Sequence, residues 1–187
     1  MREKDYLEKS SELLKNKYEE ACQHLDQGEF EEAEALLREI LRLNESFAPA
    51  RNKLALLAIR REEQDKAREE LTRTLKVDPD YPPALTNLGS LEKAEGNFHR
   101  AKELYQQAID KNEEYGPAYN NMGVILREEG KIKESVKYLK KARKHGTLTF
   151  SKRSEGPLYK EPGCLIPIIL SALVLLGLLY WFLLALN

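Results

Sequence analysis

Pro49, Pro83 and Pro117 stand 34 residues apart. Such a period constrains a fold more tightly than composition does, because a segment of roughly 20–50 residues recurring in register is one supersecondary unit repeated along the chain. Sliding the sequence by 34 places aligns Ala33, Ala67, Ala101 and Ser135; then Gly28, Glu62, Gly96 and Gly130; then Leu37, Leu71, Tyr105 and Leu139. The pairs Glu20-Ala21, Leu54-Ala55, Leu88-Gly89 and Met122-Gly123 also coincide. A small residue therefore recurs where two elements must approach closely.

Each unit reads as two helices. In the third, ALTNLGSLEKAEG carries apolar or small residues at helical spacing and ends on Gly96, suited to a left-handed carboxyl cap. NFHRAKELYQQAIDKN then opens a second helix, with Asn97 as candidate amino cap. One such hairpin buries little, whereas four stacked hairpins make a continuous apolar seam. Leu85, Leu88 and Gly89, followed by Gly96, Ala101, Tyr105 and Ala108, resemble the tetratricopeptide repeat. The fourth unit matches through Tyr119, Gly123, Gly130 and Ala142; the second keeps Leu54, Ala67, Leu71 and Pro79 but has Glu62 where glycine is usual. The first is the most divergent.

The expected fold is all-α: a right-handed α-solenoid of about four helix-turn-helix repeats plus a single C-terminal transmembrane helix. The expected boundaries are a helical extension over 1–13 and a repeat domain over 14–145, with units near 14–47, 48–81, 82–115 and 116–145. A basic linker containing Gly and Pro follows over 146–163, then the span over 164–186.

The resemblance implies that the first helices of successive units line a groove, and that the residue six places into a unit often holds a ligand's backbone. These positions are Glu19, Lys53, Asn87 and Asn121. Tyr18, Asn52, Leu56, Ser90, Lys93, Asn120, Val124 and Arg127 are placed on the same face. The candidate partner-binding residues are thus Lys53, Asn87, Ser90, Asn120, Asn121 and Arg127, in a mixed polar, mildly basic groove suited to an extended peptide or a partner's helix. The two-lysine, two-asparagine, one-arginine clamp by which some relatives grip chaperone tails is not reproduced: in one register Tyr18, Cys22, Pro83 and Asn87 stand at four of its positions, in the next Asn52, Leu56, Pro117 and Asn121.

Residues 165–186 hold fifteen Leu, Ile, Val or Phe and no charge. As a helix these 22 residues would measure ~33 Å, against an apolar bilayer core of ~30 Å. Pro162 and Pro167 sit near the start, while Tyr180 and Trp181 lie where interfacial rings are placed. Only Asn187 follows, and the first twenty residues contain no apolar run of secretory type. The expectation is a tail-anchored protein whose repeats face the cytoplasm. The membrane would be the endoplasmic reticulum in a eukaryote or the inner membrane in a bacterium. Cys164 is either a lipidation site or an unmodified small residue.

Charge is divided along the chain. Residues 1–139 carry 23 basic and 29 acidic side chains, a net of -6, while 140–163 carry seven basic and two acidic, a net of +5. An acidic body argues against nucleic acid as partner. His24, His99 and His145 fall in different units without metal-ligand spacing, and no phosphate loop or nucleophile elbow occurs, so neither a cofactor, a metal nor catalysis is expected. The charged run REEQDKAREE is expected to pair within its own helix at i,i+4. After Lys144 the sequence turns to Gly, Pro, Ser and Thr rather than a closing helix, which leaves Ile132, Val136 and Leu139 to be covered by Leu148 and Phe150, by the membrane surface or by a second copy. The function expected is a membrane-anchored interaction adaptor; the alternative is a structural subunit or assembly factor that makes its contacts through the span and the uncapped last repeat.

Overall fold

In the computed structural model, residues 6–7 and 11–146 are described. The linker beyond 146 with Leu148 and Phe150, Cys164 and the 164–186 span lie outside them. No described helix is long and apolar enough to cross a membrane.

The described residues form eight α-helices and no strand: α1 (Glu12–Gln27), α2 (Phe30–Leu43), α3 (Ala48–Arg60), α4 (Gln64–Val77), α5 (Pro82–Ala94), α6 (Phe98–Lys111), α7 (Gly116–Glu128) and α8 (Ile132–Lys144). They pack as four hairpins, α1–α2 through α7–α8, each second helix also packing against the first helix of the next hairpin. The array is an all-α helical repeat of solenoid type.

The punctuation of each hairpin is local. Pro49, Pro83 and Pro117 fall within the first two positions of α3, α5 and α7, where a missing N–H costs nothing and a fixed φ is already helical. Within each hairpin the tight turn needs a left-handed residue, with φ +84° at Gly28 and Gly96 and +75° at Gly130. Glu62 fills that position in the second hairpin at φ +62°, a conformation costing an L-residue roughly 1–2 kcal/mol. Asn97 does not cap α6: its side-chain amide instead turns back to donate to Glu92 Oε2 at 2.9 Å, and α6 starts without a side-chain cap. Between hairpins the chain turns on Asn44, Asp78 and Asn112. Their side-chain oxygens accept from the backbone N–H two residues on, at 3.1, 3.1 and 3.0 Å.

Four apolar clusters run through the stack without a break in kind, from Leu14, Tyr18, Leu37, Ile40 and Phe47 at one end to Tyr105, Met122, Ile125 and Leu126 at the other. The small-residue column marks the closest approaches. A Cβ at Gly89 would lie 2.6 Å from the Tyr105 ring and 3.3 Å from the Ala101 carbonyl oxygen; at Gly123 it would lie 2.8 Å from Leu139. Tyr105 is fully buried and has nowhere to go, whereas Leu139 is half-buried on the last helix and can rotate outward. Gly89→Ala is expected to cost about 1–2 kcal/mol, because overpacking outweighs the ~1 kcal/mol that alanine gains over glycine in a helix. Gly123→Ala is expected to be close to neutral. Thermal unfolding of the two variants checks the contrast; equal shifts in Tm would show that the buried ring is not what decides.

The charges of REEQDKAREE divide: its acid Glu69 pairs within its own helix with Arg73 at i,i+4 and 2.6 Å, as expected, whereas its two arginines pair across hairpins. Arg61 donates to Glu34 at 2.5 Å, and Arg68 donates to Glu92 and Glu95 at 2.6 and 2.7 Å. Lys66–Glu63, at 3.0 Å, is an i,i+3 pair within the run. Lys102 and Glu129 pair at the next junction. These contacts repeat one geometry, with Glu34, Arg68 and Lys102 on successive second helices meeting Arg61, Glu95 and Glu129 at the turn of the following hairpin. The arginines hold Glu34 and Glu92, and the lysine holds Glu129, below the usual carboxylate range. Moved on by 34, the series ends at Val136; moved back by 34, it starts at Gln27. Both ends of the array are uncharged where every internal junction carries an ion pair.

Candidate partner-binding face

The first helices of neighbouring hairpins touch one another directly, α3 with α5 and α5 with α7, so their side chains form one continuous face. Its polar residues are wired together. Asn87 Nδ2 donates to Asn52 Oδ1 across α5 and α3 at 2.9 Å. Asn121 Nδ2 donates to Ser90 Oγ across α7 and α5 at 3.1 Å, and Asn120 Nδ2 reaches Asn121 Oδ1 at 3.4 Å. Lys93 and Glu128 close the face with an ion pair at 2.8 Å.

Four of the six candidate residues are thus engaged on successive rungs: Asn87 pairs with Asn52, while Ser90, Asn121 and Asn120 form a separate chain. Lys53 and Arg127 are not. Lys53 is half-buried on α3 and Arg127 is exposed on α7, and neither makes an ion pair among the described residues. Ser90 is the hub and is saturated. Its proton goes to the Thr86 carbonyl at 3.0 Å, and its oxygen lies 3.3 Å from the Tyr105 hydroxyl, which must therefore be the donor. Burial pushes the Tyr105 phenol above its ordinary range, which keeps that proton in place. Ser90 consequently orients Asn121 instead of offering a free hydroxyl. These bonds leave Asn87 Oδ1, the second amide hydrogen of Asn87 and one lone pair of Asn121 Oδ1 for a ligand, at the spacing of successive hairpins.

Three features of the array escaped sequence reasoning. Thr86, 2% exposed, has a buried hydroxyl oxygen with no hydrogen-bond partner among the described residues. Arg51 is 7% exposed beneath the α3–α4 junction. Its guanidinium donates to the Glu45 carbonyl at 3.2 and 3.3 Å and to Glu70 at 3.4 Å. Thirdly, Phe47, Tyr81 and Tyr115 recur at 34-residue intervals just before α3, α5 and α7. The ring of Tyr6 stands edge-on between the first two, 5.9 Å from each, and its hydroxyl donates to Asp78 Oδ2 at 2.9 Å. Burial and the Asp78 carboxylate drive the Tyr6 phenol well above its ordinary range. The 34-residue recurrence of the aromatics was visible in the sequence; the seat it makes for Tyr6 was not.

Among the described residues no group of His, Cys, Asp or Glu is placed to hold a metal ion.

Models of the tetratricopeptide repeat match residues 24–90 and 86–147. Similar solved structures include MamA, 24% identical with a TM-score of 0.56 over 76% of this chain and 84% of that one. PilF of Pseudomonas aeruginosa is 21% identical with a TM-score of 0.62, over 71% of this chain and 61% of that one. MamA of Desulfovibrio magneticus is 15% identical with a TM-score of 0.54, over 71% and 75%. At these identities the likeness is one of fold. No curated protein matches the sequence significantly.

Proposed function

Residues 24–147 are tetratricopeptide repeats, and from that premise we propose that the chain is an interaction adaptor that holds a partner's extended peptide or helix on the face of α3, α5 and α7. The observation that carries this reading is the Asn52–Asn87 and Ser90–Asn121 ladder. Pre-oriented carboxamides on successive hairpins offer a donor and an acceptor at a fixed spacing, which suits a peptide backbone and costs little entropy on binding. Lys53 and Arg127 flank the ladder and favour an acidic or carboxylate-bearing segment.

The second element of the proposal is a membrane tether, supported by the uncharged stretch 165–186 and by the basic residues preceding it, which favour a cytoplasmic placement of the repeats. Tethering raises the effective concentration of two partners held on one surface. The membrane remains the endoplasmic reticulum or a bacterial inner membrane according to source.

Affinity capture with the full chain in detergent tests the adaptor reading. The Asn87→Ala, Asn121→Ala double variant is expected to lose its specific partners by about tenfold or more, since two hydrogen bonds of ~1 kcal/mol each vanish and a desolvation cost is left behind. Unchanged recovery would transfer the contacts to the span and the last hairpin, the arrangement of a structural subunit or assembly factor of a membrane complex.

A further inference from the structure

The last helix departs from the pattern of the three second helices before it. On α8, Ile132 and Val136 are 55% and 44% exposed, and Lys133, Lys137, Lys140 and Lys144 are exposed beside them. At 3.6 residues per turn these positions, with Arg143, fall within an arc of about 140°. The single acid of the helix, Glu134, lies outside that arc. None of the five cations makes an ion pair among the described residues, whereas Arg61, Arg68, Lys93, Lys102 and Lys111 are all paired. The inversion is positional as well. Where α8 has Lys137, α4 and α6 have Glu69 and Glu103; where it has Arg143, they have Leu75 and Ile109.

We propose that this arc of α8 is a docking surface for a layer of anionic lipid headgroups, which fixes the solenoid end-on against the membrane. The inference rests on the tethered reading. A second copy fits the end poorly, because each internal junction is closed by an ion pair and a head-to-tail stack would place Val136 against Gln27 with no charge on either side. A lipid surface fits better on two counts. Cations interleaved with two aliphatic side chains match a headgroup layer above an acyl boundary. The apolar stretch also begins at Leu165, so the 20 residues 145–164 keep α8 within ~70 Å of the bilayer even if fully extended. The acidic remainder of the body is repelled by the same surface, so the attraction selects one orientation.

Each lysine near an anionic surface is worth roughly fivefold in partition. The test is amide hydrogen exchange of the full chain reconstituted into vesicles of phosphatidylcholine alone and of phosphatidylcholine with phosphatidylserine. Amides of 132–144 are expected to exchange about tenfold or more slowly on the anionic vesicles, with protection lost at about 0.5 M salt and in the Lys133→Glu, Lys137→Glu, Lys140→Glu variant, whose unchanged circular dichroism would show an intact fold. Equal exchange on both compositions overturns the proposal, as does protection conferred by polyglutamate or single-stranded RNA but not by anionic vesicles. An alkaline wash of the neutral vesicles separates the two readings: release of the protein there defeats the tether itself, while retention there together with an unprotected α8 on the anionic vesicles defeats only the docking surface.

Discussion

Tyr105→Ala is expected to remove about 3–5 kcal/mol of stability, the range for deleting a large buried aromatic ring. Against a typical total of ~5–15 kcal/mol that is a third or more. The ring is fully buried, fills the space vacated at Gly89, and packs with Ala101, Met122, Ile125 and Leu126 between the third and fourth hairpins. Because repeat stability is a sum of unit and nearest-neighbour terms, the loss falls on one junction. Urea denaturation followed by circular dichroism should therefore show the single transition splitting, with the fourth hairpin melting first. Tyr105→Phe keeps the packing and removes only the hydroxyl that donates to Ser90, so it should cost ~1 kcal/mol. A Tyr105→Ala variant that melted cooperatively within 1 kcal/mol of the parent, a deficit well below that range, would mean that this junction is not held by the ring.

The second large effect concerns Arg51. Glu70→Leu is expected to cost about 2–3 kcal/mol, somewhat less than the ~3–5 kcal/mol for breaking a fully buried pair. The discount reflects the two bonds to the Glu45 carbonyl, which still hold the guanidinium. Arg51→Met combined with Glu70→Leu should recover to within about 1 kcal/mol of the parent, since removing both charges also removes the desolvation penalty. Additive losses in the double variant would show instead that Arg51 and Glu70 are not coupled. The comparison is a double-mutant cycle, read by the same denaturation curves.

Much of the fold was legible because its determinants are short-range. The 34-residue register, the prolines opening α3, α5 and α7, and the turn glycines each act through the φ and ψ of their own residue or its neighbours. Glu62 shows the same logic from the other side: the position demanded a left-handed residue, and the backbone takes that conformation at φ +62° without a glycine. Asn97 was misjudged because an amide beside a turn has two partners within reach, and Glu92 outcompeted the helix's own N–H groups.

The candidate face was legible only in outline. Spacing places Asn87, Ser90, Asn120 and Asn121 on one side of their helices, and it stops there. Whether Ser90 is free or engaged depends on a tyrosine fifteen residues on, and the orientation of Asn87 depends on Asn52 in the preceding hairpin. The ion pairs make the same point. Arg61 and Arg68 had Asp65 four and three residues away in their own run, yet they bind Glu34, Glu92 and Glu95, 24 to 27 residues away in sequence. Stacked hairpins bring those carboxylates closer to the guanidinium than one helical turn does.

The sequence by itself determined that this chain is a stack of four helical hairpins, where each turn falls, and that an uncharged stretch follows a basic one. Tertiary structure alone decided which charges meet, which hydroxyl is spent, where Tyr6 is seated, and that the ion-pair series stops at Val136 with five cations beside it that have no ion-pair partner among the described residues. The reason is range: backbone preferences are set within a few residues, whereas partnership between side chains is set by how hairpins dock, and docking is fixed by the apolar seam rather than by the polar groups it brings together.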